Sequence, residues 1–104
     1  MEVRASSVIE AVIPEFDDIE VFYKKIPRGV YIYDGTEEDR LYKIKDKAES
    51  KIMMVADAVD VKWTVVWQAA LMARRWYNRT GWQRILTDNN AEAIWKLAVK
   101  NAKK

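Results

Sequence analysis

The sequence predicts an α+β fold: a short N-terminal helix, a three-stranded antiparallel meander, then two or three C-terminal helices including a long, tryptophan-lined central one. Three observations lead there. Between positions 19 and 45 the apolar residues alternate or form short β-branched and aromatic runs, broken by Pro and Gly. From Asp46 onward the apolar spacing changes to the three-and-four rhythm of a helix. All five tryptophans (Trp63, Trp67, Trp76, Trp82, Trp95) fall after residue 60. A chain of 104 residues is long enough for one domain with one core. Residues 1–104 are therefore read as a single domain, with helix and acidic meander over 1–45 and a basic helical part over 46–104.

The elements follow in order. Ser7-Val8-Ile9-Glu10 fits a capping box, in which hydroxyl and carboxylate satisfy two orphan backbone N–H groups. The helix it opens is expected to stop before Pro14, because proline pushes the preceding residue toward extended geometry. Ile19–Lys24 alternates as a first strand, and Ile26-Pro27-Arg28-Gly29 makes a turn with Pro at its second position. Val30–Tyr33 is the second strand, Asp34-Gly35 begins a polar loop, and Leu41–Lys45 is the third strand. A meander followed by a helix over Gly29–Asp60 is similar in order to small sheet-based DNA readers such as recombinase arm-binding modules. The helix–three strands–helix order is also that of double-stranded-RNA-binding domains. The defining residues of neither family are present, and order alone does not carry function.

In the helical part, Ala48, Ile52, Val55, Ala56 and Val59 share one stripe. Met53 and Met54 lie off it and either meet a second surface or stay exposed. Residues 59–67 fit both a strand and a helix. Helix is favoured, with Asp60 as N-cap, since no turn residue separates this stretch from its neighbours. On a helical wheel, positions 61–79 are apolar over more than half the circumference, with Thr64, Gln68, Arg75, Asn78 and Arg79 forming a narrow polar strip. Such a helix packs on at least two sides, and Gly81 suits its C-terminal cap. A last helix is capped by Asn89 with Glu92 three residues on. Its inner face carries Ile94, Trp95, Ala98 and Ala102, and its outer face Glu92, Lys96, Lys100 and Lys103.

Composition narrows function. The chain has no Cys and no His, which removes disulfides, thiolate metal sites, and the commonest general base and metal ligand. No apolar run approaches the roughly 20 residues of a membrane span. Met1-Glu2-Val3-Arg4 has no signal-peptide pattern, so an intracellular (cytoplasmic) protein is expected and the sequon Asn78-Arg79-Thr80 carries little weight. The acidic clusters Glu15/Asp17/Asp18/Glu20 and Asp34/Glu37/Glu38/Asp39 lack calcium-loop spacing and are read as solvated charge. The only serines are Ser6, Ser7 and Ser50, and there is no Gly-rich phosphate loop. No acid, base and nucleophile are assembled, so the expectation is a protein that is not an enzyme and uses no metal or cofactor.

Charge is split along the chain. Residues 1–60 carry nine Lys/Arg against fourteen Asp/Glu, a net of −5, and residues 61–104 carry nine against two, a net of +7. The densest basic segment, Arg74–Arg84, holds four arginines and three aromatics with no acid. Arg75, Arg79, Trp82 and Arg84, together with Lys96, Lys100 and Lys103, are the candidate contacts to a partner. Arginine forks suit carboxylates or phosphates, and an exposed Trp82 suits stacking. Arg74 is the exception. It falls between Trp63 and Trp67 on the wheel and needs an internal acid, because an unpaired buried charge is too costly. These features predict a small non-enzymatic binding protein, a regulator, inhibitor or assembly factor, that contacts a macromolecule through its basic, aromatic C-terminal half. An acidic protein or a second copy of the chain is the preferred partner, a homo-oligomer is possible, and no membrane is involved. The alternative is a nucleic-acid-binding protein, and steep salt dependence is its distinguishing sign.

Overall fold

The structure, a computed structural model, describes residues 4–25, 37–80 and 86–103. They form four helices: α1 (Ala5–Lys25), α2 (Glu37–Ala58), α3 (Trp63–Thr80) and α4 (Asp88–Ala102), with no strand among the described residues. The fold is all-α, and the expected α+β meander is corrected. Val30–Tyr33, the Ile26–Gly29 turn, Asp34-Gly35 and Gly81 lie outside the described residues.

Two of the three strand segments are helical for a reason visible in their burial. In α1 the buried side chains are Val8, Ile9, Val12, Ile13, Phe16, Ile19 and Phe22, a stripe at helical spacing that passes Pro14 without a break. Pro14 itself is exposed. It cannot donate to the Glu10 carbonyl, but the apolar stripe on both sides of it holds the helix against the core. Within 19–24, Ile19 and Phe22 are buried while Val21 and Tyr23 are exposed. A strand would have put Ile19, Val21 and Tyr23 on one face. The supposed third strand, Leu41–Lys45, lies in α2, where adjacent Leu41 and Tyr42 are both buried and continue into Ala48, Ile52 and Ala56.

Three caps also differ from expectation. Ser7 does not open α1, which begins at Ala5 with the Val8 amide donating to the Arg4 carbonyl (3.2 Å). Asp60 does not cap α3; it ends α2. Its φ of 55° is left-handed, a conformation that Asp tolerates better than most residues. The Val61 amide donates to the Ala56 carbonyl (3.0 Å) and the Asp60 amide to the Asp57 carbonyl (3.2 Å), the paired bonds of a Schellman motif. At the start of α4 the cap is Thr87, not Asn89. The Thr87 hydroxyl accepts from the Asn90 amide at 3.2 Å, and Asp88 occupies the first turn, where the helix dipole favours an acid.

Helices α1 and α3 form the centre. Val65, Ala69 and Ala73 of α3 pack with Ile9 and Ile13 of α1 and with Ala91, Ile94 and Ala98 of α4. On its other side α3 sets Val66 and Ala70 against Val12, Phe16 and Ile19 of α1 and Ala48, Ile52 and Ala56 of α2. Helices α2 and α4 therefore flank the pair and do not meet among the described residues. Alanine at the α3 crossings allows close approach, and each fully buried aliphatic such as Ile9 or Ile52 contributes about 1.5–3 kcal/mol. Phe22, Leu41 and Tyr42 make a third cluster that ties the end of α1 to the start of α2.

Candidate binding groove

The tight turn through Asp60 and Val61 brings the last turns of α2 against the first turns of α3 without closing the space between them. A cavity of about 160 Å³ remains, lined by Glu49, Ile52 and Met53 of α2 and by Trp63 and Trp67 of α3. It adjoins a wider trough of about 410 Å³ that shares Met53 and Trp63 and adds Asp57, Lys62 and Thr64. Trp63 is 51 % exposed and Met53 56 % exposed. Trp63 and Trp67 meet nearly at right angles, with ring centroids 6.2 Å apart and an interplanar angle of 85°. Trp67 is in turn braced by edge contacts to Phe16 (5.6 Å) and Tyr23 (6.2 Å) of α1. One wall is thus fixed to the core, and the other, Trp63, stands half in water.

The groove draws on both halves of the chain, whereas the sequence pointed to the basic half alone. Arg75 and Arg79 are exposed near the end of α3, and Lys96, Lys100 and Lys103 are exposed on α4. Trp82 and Arg84 lie outside the described residues. Asn101 Nδ2 reaches Met72 Sδ at 3.8 Å, which marks the side of α4 turned toward α3. At about 100° per residue, the three lysines lie roughly 100–160° around the helix from it. The arginines lie near the C-terminal end of α3 and the lysines on the part of α4 turned away from Met72.

Arg74 is placed against the acidic front half. Its Nη1 lies 3.2 Å from Asp17 Oδ1 and its Nε 3.5 Å from Glu20 Oε2, while its guanidinium stacks over the Tyr77 ring at 4.9 Å. The contacts are ion pairs rather than aligned hydrogen bonds. Burial pushes the Asp17 carboxyl above its usual value. Arg74 pulls it down without overcoming burial, and Glu20 and Asp18 add to the rise. A carboxyl that holds its proton more tightly when folded stabilises the fold below the ordinary carboxyl range. That contribution is lost as pH rises through the raised value. Asp17→Asn should therefore flatten the decline of stability with rising pH across the mildly acidic range, measured by denaturant unfolding. Arg74→Met should cost about 1 kcal/mol at pH 7, less than a fully buried pair because these groups keep solvent contact. Its deficit should shrink on acidification as Asp17 takes up its proton. Unchanged or increased stability at pH 7 would remove the structural role of Arg74.

A second tie joins α1 to α4, where Arg4 Nη1 meets Asp88 Oδ2 at 3.1 Å and the Ser6 hydroxyl donates to Asp88 Oδ1 at 2.8 Å. Among the described residues no three His, Cys, Asp or Glu side chains gather as a metal site, and no helix is long and apolar enough to cross a membrane. Comparison with protein-family models, with curated proteins and with solved structures gives no match to this chain.

The groove was hidden from sequence reasoning because it depends on how two helices meet. The available signal was Met53, off the apolar stripe of α2; Trp63 sits on the apolar arc of the wheel, and its 51 % exposure departs from that placement.

Proposed function

We propose that this chain is a small non-enzymatic binding module that holds a segment of a partner protein in the α2–α3 groove, as a regulator, inhibitor or assembly factor. The observation that carries this reading is Trp63, half exposed beside an exposed methionine and over an apolar cavity whose far wall is the core-braced Trp67. Tryptophan is among the residues enriched at the energetic centres of protein interfaces, and methionine adapts its shape to varied partners. An apolar segment laid along the groove would remove both from water.

The nucleic-acid alternative rests on Arg75, Arg79 and the lysines of α4, which are exposed on two different helices. Selection of peptides from an unbiased displayed library tests the preferred reading. Peptides recovered on the intact protein should bind at least tenfold more weakly to Trp63→Ala and equally well to Arg79→Ala, as a central anchor requires. Peptides indifferent to Trp63→Ala and lost with Arg79→Ala or Lys96→Ala would overturn it.

A further inference from the structure

The smaller cavity has a chemistry narrower than apolar docking. Two indole rings at 85° form adjoining walls, Ile52 and Met53 supply an apolar lining, and Glu49 is the charged residue that lines it. We infer that it is a site for an alkylated ammonium group, carried on a lysine side chain of the partner. This rests on the groove reading and names the side chain that the groove receives.

Each part of the lining argues for that ligand. The face of an indole is electron-rich and attracts a cation within about 6 Å of the ring centroid. Two indoles at right angles present more than one such face to a single guest. Ile52 offers no hydrogen-bond acceptor and the Met53 thioether only a weak one, so a strongly hydrated primary ammonium could replace its lost water at Glu49 alone. A methylated ammonium holds its water less tightly and also gains from apolar contact. Glu49 adds a negative charge that a neutral guest does not need. Lys45 Nζ approaches Glu49 Oε1 at 3.8 Å while lying 5.6 Å from the Phe22 ring, so it neutralises the carboxylate loosely.

Size and continuity favour a side chain on a polypeptide over a free headgroup. About 160 Å³ matches the scale at which a protein cavity takes a benzene-sized guest, and a trimethylammonium head is of similar bulk. A free quaternary amine would fill that space alone. A polypeptide bearing the group would continue into the adjoining trough, where Asp57, Lys62 and Thr64 offer charged and hydrogen-bonding groups to its backbone and flanking residues.

The test is a calorimetric titration of the whole protein with four probes. These are a short peptide bearing trimethyllysine, the same peptide with unmodified lysine, the same peptide with carbon in place of the quaternary nitrogen, and choline. The trimethyllysine peptide should bind about tenfold tighter than its carbon isostere and than the unmodified peptide, and tighter than choline. Glu49→Gln should weaken it severalfold, and Trp63→Ala should abolish it, with helical content unchanged by circular dichroism because both side chains reach solvent. Equal binding of the carbon isostere overturns the ammonium assignment and leaves groove docking intact. Choline binding as tightly as the peptide overturns the lysine-borne source. Absence of binding by all four overturns this inference, while the groove itself is judged by peptide selection.

Discussion

Phe22→Ala is expected to lower the unfolding free energy by about 3–5 kcal/mol, whereas Val21→Ala, one residue away, should change it by less than about 0.5 kcal/mol. Phe22 is 3 % exposed and packs edge-on against Tyr42 with ring centroids 5.1 Å apart; Val21 is 42 % exposed. Removing Phe22 empties the cluster that joins the end of α1 to the start of α2. An alternating strand would put Val21 on the opposite face to Phe22, with Ile19 and Tyr23. Paired urea or thermal unfolding of the two variants therefore reads the local periodicity directly. A large loss for Val21→Ala with a small one for Phe22→Ala would restore the strand.

The second large effect has the opposite sign. Pro14→Ala should raise stability by about 1–3 kcal/mol, because proline in a helix interior costs roughly 3 kcal/mol relative to alanine, and part of that gain is lost through a freer unfolded chain. The new amide can donate to the Glu10 carbonyl, and the exposed position asks for no repacking. For a domain of this size the melting temperature should rise by about 5–15 °C. If the helix ended before Pro14, the substitution would have no helical bond to restore, and stability would stay level or fall.

These two positions also show where the sequence was legible and where it was not. Long periodic stretches carried their faces openly: Ala48, Ile52, Ala56, Val66, Ala70, Ala73, Ile94 and Ala98 all read as inward-facing, and all are buried. Arg74 stood out as a cation among tryptophans, and it lies beside Asp17 and Glu20. The errors cluster where a local signal was given more weight than a longer period. Pro14 reads as a stop only if the stripe from Val8 to Phe22 is not followed through it. Ile19–Lys24 and Leu41–Lys45 are each too short to separate a period of 2 from one of 3.6 by content, and their aromatic and β-branched residues tipped the reading toward strand. Asp60 passed for an N-cap because the same residue type serves at a left-handed turn, and that choice concealed the turn joining α2 to α3. The groove lies beyond sequence reading for a related reason. Met53 and Trp63 are ten residues apart on different helices, and only the Schellman turn between them makes them neighbours.

The most direct test of the groove as the working surface is a nuclear magnetic resonance titration of the protein with a peptide recovered by selection, following methionine methyl and indole N–H signals together with the backbone. The account predicts the largest shifts at the Met53 methyl and the Trp63 and Trp67 indoles, with Arg75, Arg79 and the lysines of α4 little changed. Shifts concentrated at Arg75, Arg79 or Lys96–Lys103, with Met53 and Trp63 unmoved, would contradict it and return the binding surface to the basic half of the chain.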